Sequence, residues 1–326
     1  MDTPTLMLKE DTKVISNLDL SEVPSGKISR YWLHLVTNGL SLPIYVPLII
    51  AKGEEEGPVL GVTAAVHGNE LNGISVIQRL FRELDVRSLK GTLVGIPTVN
   101  IPALLGNERV FVDGVDLNDI MPGKPNGNVS EVYAYRFVHS IIKEFNYLVD
   151  LHTASFGRIN SYYIRANLDN PITREMAMLQ NAEIIVHNMG SDGTLRGAAA
   201  GMGIHAITLE LGNPNTFQKS HIIAGLTGIH NLMVHFGMVD SDIEQPIKPP
   251  VICSKSYWMY TDTGGILTVQ PDVIDFVKSG ERIATMRTIF GDLVKEYTAP
   301  EDGIVIGKSV APVNQTGGRI LHLGIW

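Results

Sequence analysis

Between residues 59 and 240, apolar runs of strand length alternate with segments whose apolar positions recur at helical spacing. The run 59–66 is the first strand. Residues 71–84 follow as a helix, with Ile74, Ile77, Leu80, Phe81 and Leu84 along one stripe. A second strand is predicted at 91–97. Residues 130–145 form the next helix, with Ser130 as N-cap and Tyr133, Phe137, Ile141 and Ile142 on one face. Apolar runs ending at Leu151 and Leu209 are further strands, and 223–236 is a closing helix. Upstream, after a polar lead-in, runs 31–36 and 42–50 flank Thr37-Asn38-Gly39, the pattern of an antiparallel hairpin at a sheet edge.

Strand–helix alternation predicts an α/β fold with a mostly parallel sheet covered on both faces. The pattern stops at the proline-rich joint 245–250. Beyond it, short β-like runs lie between glycine turns, such as Gly264-Gly265, Ser279-Gly280 and Gly317-Gly318. Two domains are expected: a catalytic one at 1–247 and a small all-β one at 248–326.

Composition narrows the partners. The 326 residues are 44% hydrophobic and 18% charged, as in a soluble globular chain, and the net charge is −8. That balance carries no basic footprint for nucleic acid. No Lys/Arg block suits a membrane surface, and no apolar run approaches the roughly 20 residues a membrane helix needs. Met1-Asp2-Thr3-Pro4 lacks the basic and apolar regions of a secretory signal, so a cytoplasmic location is expected. Cys253 is the only cysteine, so any metal must be held by histidine and carboxylate.

The strand ends carry the chemistry. The run 59–66 leads into His67-Gly68-Asn69-Glu70, the run 147–151 into His152, and the run 205–209 into Glu210. In open α/β sheets ligands bind outside the carboxyl ends of the strands. Two imidazoles and a carboxylate suit a catalytic zinc, and a further carboxylate suits its proton shuttle. His67, Glu70 and His152 are therefore the candidate ligands of one zinc per chain, with Glu210 as the general base. Asp150, two residues before His152, faces the same way on a strand and is expected to hold a ligand histidine by its ring. Arg109, in the loop after 91–97, is placed to stabilise an oxyanion. There is no phosphate-binding glycine loop and no G-x-S-x-G elbow.

Ordered motifs over residues 55–240 resemble the aspartoacylase/succinylglutamate desuccinylase family of the zinc carboxypeptidase superfamily. They are His67-Gly68-Asn69-Glu70, Asn100 with the Arg109 loop, Asp116-Leu117-Asn118 before Met121-Pro122-Gly123, Asp150-Leu151-His152-Thr153, and Thr208-Leu209-Glu210-Leu211-Gly212. The resemblance implies a three-layer α/β/α domain with a mixed, mainly parallel sheet. It implies zinc on His67, Glu70 and His152, Glu210 as base, and Arg109 polarising the scissile carbonyl. A homodimer would also be in keeping with it. Residues 291–294 and 299–303 are similar to lipoyl/biotinyl-type hairpin domains, but without a modified-lysine tip.

One position departs from the family. Its usual Asp-Leu-Asn-Arg reads Asp116-Leu117-Asn118-Asp119 here. An aspartate would repel a substrate carboxylate that the arginine grips. Either another cation (Arg158, Arg165 or Arg196) takes the carboxylate, or the substrate bears an amine or no charge there. Asn118, Asp119, Arg158 and Arg196 are the candidate substrate contacts. The expected activity is zinc-dependent hydrolysis of the acyl group from a small N-acyl amino acid or amine. Peptide cleavage by a carboxypeptidase and a non-catalytic metal-binding relative are the alternatives.

Overall fold

The computed structural model describes residues 12–190 and 193–326. The segment Met1–Pro4 and the loop residues Ser191 and Asp192 lie outside the described residues. Up to residue 253 the strands are β1 (Lys13–Ile15), β2 (Lys27–Thr37), β3 (Pro43–Lys52), β4 (Glu55–Ala64), β5 (Lys90–Ile96), β6 (Tyr147–His152), β7 (Arg158–Asn160), β8 (Tyr162–Ala166), β9 (Ile184–His187), β10 (His205–Leu211) and β11 (Val251–Cys253). All but β7 form one ten-stranded sheet in the order β1-β2-β3-β5-β4-β6-β10-β8-β9-β11. The pairs β2–β3, β3–β5 and β8–β10 are antiparallel. The central β5-β4-β6-β10 run is parallel.

Helices α1 (Asn72–Glu83), α2 (Ile101–Gly106), α3 (Val129–Ser140), α4 (Pro171–Met178), α5 (Leu195–Gly201) and α6 (Lys219–His235) connect these strands. The sheet separates two apolar cores. Val76, Ile77 and Phe81 of α1, Met176 of α4 and Leu232 of α6 pack with Leu60, Val62, Val149, Ile207 and Leu209 on one face. Tyr133 and Phe137 of α3 and Leu195 of α5 pack on the other, with Leu148 and Ala206. This is a three-layer α/β/α arrangement. Each fully buried Leu, Ile or Phe contributes about 1.5–3 kcal/mol, so both helix layers are held by many such residues.

The sequence pattern misplaces one helix start. The N-cap of α3 is Asn128, whose side chain accepts from the Glu131 amide while Glu131 reaches back to the Asn128 amide. Ser130 lies inside the helix and donates to Asp113 and Asn128. The helix also stops at Ser140, and a short 3₁₀ turn, Ile142–Glu144, completes the segment.

Beyond β11 come β12 (Lys255–Tyr260), β13 (Gly265–Val269), β14 (Phe276–Val277), β15 (Arg282–Arg287), β16 (Leu293–Thr298), β17 (Gly303–Ser309), β18 (Val313–Asn314) and β19 (Arg319–Ile325). They build two antiparallel sheets, β12-β19-β17-β14 and β16-β15-β13-β18, around a core of Leu267, Ile283, Met286, Val305 and Leu321. Two strands cross the expected boundary at 247/248. β11 pairs with β9 in the large sheet, and β7 pairs with β17 in the carboxyl-terminal one. Among the described residues no helix is long and apolar enough to cross a membrane.

Candidate metal and hydrolytic site

β4, β6 and β10 end side by side, so their carboxyl ends share one edge of the sheet. Strand periodicity then sorts the side chains. Leu60, Val62, Leu151 and Leu209 go into one core, while Thr63, Asp150, His152, Thr208 and Glu210 alternate with them. Thr63 and Thr208 are both in register with Asp150, and Glu210 is in register with His152.

After β4 the chain turns sharply at Ala65, whose φ of 51° is left-handed. His67 and Glu70 follow on a tight turn closed by the Glu70 amide donating to the His67 carbonyl. Gly68 is needed inside it. A Cβ there would lie 2.0–2.2 Å from backbone atoms of Ala103 and Leu104 in α2. The glycine lets α2 press against the turn that carries His67 and Glu70.

Glu70 is the hub. Its Oε1 lies 2.8 Å from His67 Nδ1 and accepts from Arg109 Nη1 at 3.0 Å. Its Oε2 lies 3.0 Å from His152 Nδ1 and accepts from the Thr153 amide at 2.9 Å. The other ring nitrogens are held from behind. Nε2 of His67 lies 3.0 Å from Asp116 Oδ1, and Nε2 of His152 lies 2.8 Å from Asp150 Oδ2. Asp150 also accepts from Thr63 Oγ1 at 2.6 Å.

These partners shift the titrations. Burial by itself would lift Glu70, but the two histidines outweigh it and hold the carboxyl well below its usual range. Asp116 behaves likewise, burial being overcome by His67 and Arg109. Burial opposes protonation of His67 and His152, yet their neighbouring carboxylates raise both.

The donor set fits a divalent metal. Carboxylates on both Nε2 atoms fix the rings so that both Nδ1 atoms face Glu70. One ligand atom from each of His67, Glu70 and His152 lies within 4.8 Å of the others, and all three residues are buried. His67 Nδ1, 2.8 Å from Glu70 Oε1, is not in hydrogen-bonding alignment with it and is otherwise unpartnered among the described residues.

A cleft of about 220 Å³ opens over this set. His67, Glu70, His152, Arg109, Glu210, Asn118, Asp119 and Arg196 all line it, together with Thr153, Arg165, Asn188, Thr194 and Thr208. Asp150 is buried behind His152. Arg158 lies elsewhere: it is on β7, with its guanidinium 5.8 Å from the Trp258 ring centroid. Asn118 Oδ1 accepts from the Leu195 amide, which ties its loop to α5. The carboxylate of Glu210 accepts from Asn160 Nδ2 at 3.1 Å and from Arg165 Nε at 3.4 Å.

Arg196 is 5% exposed, and its guanidinium donates to the backbone and side chain of Asn188. Among the described residues its Nε has no hydrogen-bond partner and its guanidinium forms no ion pair. Burial, with Arg165 adding to it, pushes the Arg196 pKa down to about 10. Asp119 is exposed at the cleft and pairs with no cation among the described residues.

Sequence reasoning misses two contributors. Asp116 carries no signal beyond its place in a motif, and Asn160 carries none at all. Both act on residues far away in the chain.

The model of the succinylglutamate desuccinylase/aspartoacylase catalytic domain matches residues 56–236. The N-alpha-acetyl-L-2,4-diaminobutyric acid deacetylase of Halomonas elongata is 24% identical over 278 residues, covering 81% of each chain. The product-bound structure of the ectoine utilization protein EutE (DoeB) from Ruegeria pomeroyi has a TM-score of 0.84 at 21% identity, covering 94% of this chain and 98% of that one. A succinylglutamate desuccinylase from Silicibacter sp. TM1040 has a TM-score of 0.82 at 21% identity, covering 93% and 97%. At these identities the structural likeness speaks to the fold.

Proposed function

The chain belongs to the succinylglutamate desuccinylase/aspartoacylase family, and on that premise we propose that it is a zinc-dependent deacylase of an N-acyl amino acid bearing an amine. The observation that carries this reading is the meeting of His67, Glu70, His152 and Glu210 in one cleft. His67, Glu70 and His152 would hold the zinc. When bound, the metal supplies Lewis acidity, making water a nucleophile near neutral pH and polarising the acyl oxygen. Glu210 takes the proton from that water and delivers it to the leaving nitrogen. Arg109, between Glu70 and Asp116, donates to the oxygen that gains negative charge. The products are a carboxylic acid and a free amine.

The fixed charges of the cleft support the substrate class. Among the described residues Arg196 is a buried cation with no carboxylate in ion-pair contact, and Asp119 is an anion with no cation in contact. A substrate with one carboxylate and one ammonium supplies both missing partners. The relative from Halomonas elongata is named for such a compound, an acetylated diamino acid.

The test is a hydrolysis panel with the zinc-loaded protein: Nα-acetyl-2,4-diaminobutyrate, N-acetylaspartate, N-succinylglutamate, an N-acetylated neutral amino acid and a short peptide. The diamino compound should give the highest kcat/KM. Preference for either dianionic amide would refute the amine assignment. Cleavage of the peptide alone would make the protein a carboxypeptidase, and zinc binding without hydrolysis of any amide would leave it a non-catalytic relative.

A further inference from the structure

Glu210 is held by a residue that the carboxyl-terminal β domain fixes in place. Its Oε2 accepts from Asn160 Nδ2 at 3.1 Å, shorter than the 3.4 Å contact of Oε1 with Arg165. Asn160 ends β7, a strand that lies outside the large sheet and pairs with β17. Asn160 is in register with Gly307, Ile159 with Lys308 and Arg158 with Ser309. The Ser161 amide donates to the Ile306 carbonyl at 2.9 Å, and the Val310 amide to the Gly157 carbonyl at 2.8 Å, so the segment is tied at both ends.

Gly307 faces the Asn160 amide. A Cβ at 307 would lie 2.4 Å from Asn160 Oδ1 and 2.9 Å from the Ile159 carbonyl oxygen. Its φ is not left-handed, so this close approach is what requires glycine. β17 shifts register against β19 between Val305 and Gly307, which brings Gly307 opposite Asn160. Asn160 is 8% exposed, and among the described residues its Oδ1 has no hydrogen-bond partner. An unpartnered buried amide oxygen costs stability that an apolar side chain of similar size would not. What the amide provides is at its other end, where Nδ2 donates to Glu210.

We infer that Asn160 and Gly307 are positioning residues for the general base: the β domain, through the β7–β17 pairing, sets the carboxylate of Glu210 over the ligand set. The domain thus takes part in turnover without placing a group on the substrate. The inference rests on Glu210 being the base.

The test is a double-mutant cycle on the zinc-loaded full chain, using the panel amide it cleaves fastest. Asn160→Ala should lower kcat about 10- to 100-fold, since a misplacement of about 1 Å is enough for that, while KM and zinc content hold. Gly307→Ala should do the same by pushing the Asn160 amide away. The double variant should be no slower than Asn160→Ala, because both changes remove one hold. Multiplied losses in the double variant, or loss of zinc in step with kcat, overturn the inference. If Gly307→Ala does not fold, Asn160→Ala decides it: full kcat refutes it. Glu210→Gln separates the two claims. Turnover surviving in Glu210→Gln refutes the base assignment, whereas a dead Glu210→Gln beside a fully active Asn160→Ala refutes only the positioning.

Discussion

His67 Nε2 lies 3.0 Å from Asp116 Oδ1, a carboxylate 49 residues further along the chain. The other oxygen of Asp116 accepts from Arg109 Nε at 2.9 Å. One carboxylate therefore orients both a candidate metal ligand and the arginine beside it. Asp116→Asn should weaken zinc affinity about 10- to 100-fold, the range for losing a carboxylate behind a ligand histidine. It should also lower kcat in the zinc-saturated enzyme, because Arg109 loses its anchor. Asp150→Asn should weaken zinc similarly without loosening Arg109. Chelator competition and saturated kcat separate the pair, and unchanged affinity in both would sink the histidine-holding role.

Glu210→Gln keeps the shape of the cleft and removes the proposed base. Zinc content and melting temperature should stay near wild type while turnover falls by about 10²-fold or more. Elemental analysis beside single-turnover kinetics tests this, and wild-type rates would reassign the proton shuttle.

On the proposed reading, Asp119 and Arg196 carry the charge selectivity. Asp119→Asn should raise KM for the diamino substrate and leave neutral N-acyl amino acids unaffected. Arg196→Met should harm every substrate with an α-carboxylate. Asp119→Arg should improve N-acetylaspartate relative to the diamino compound. Equal losses for the diamino and neutral substrates in Asp119→Asn would mean that Asp119 serves structure, and an N-acetylated amine lacking a carboxylate that suffers as much in Arg196→Met would mean the same for Arg196.

pH should act on the metal-free site from both sides. Burial opposes it, but the carboxylates around His67 and His152 raise both. A raised histidine stabilises fully below its ordinary 6.5, and that part is lost as pH climbs through its folded value. Glu70 is depressed despite burial, so its part is present above its ordinary 4.5 and lost as pH falls through the folded value. His152→Asn should thus cost metal-free protein more stability in mild acid than in alkali. Zinc must displace the histidine protons, so its affinity should rise with pH. Calorimetry in buffers of different ionisation enthalpy should show protons released at neutral pH, and heats independent of buffer would contradict the shifts.

Gly68→Ala tests the turn. The added methyl overlaps the α2 backbone, and forced overpacking of this kind costs about 1–3 kcal/mol. Because His67 and Glu70 flank the position, zinc affinity should drop as well. A denaturation midpoint and zinc affinity both equal to wild type would show that α2 can yield.

Much of the site is legible in the chain because its spacing is local. His67 and Glu70 share one turn, and Asp150 and His152 share one strand face, so period and spacing suffice to pair them. The alternation of apolar runs likewise fixes the layered α/β plan and the change to β structure after the proline-rich joint. Register across strands is a different matter, because it depends on pairings between segments far apart in sequence. Those pairings bring Asn160 to Glu210 through Gly307, carry β11 into the large sheet and set Arg158 against Trp258 instead of the cleft, while the packing of a loop puts Asp116 behind His67. The sequence determined which residues are the candidates for holding a metal and moving a proton. Tertiary packing decided which groups hold them still, because a hydrogen bond between distant segments exists only once both strands are in register.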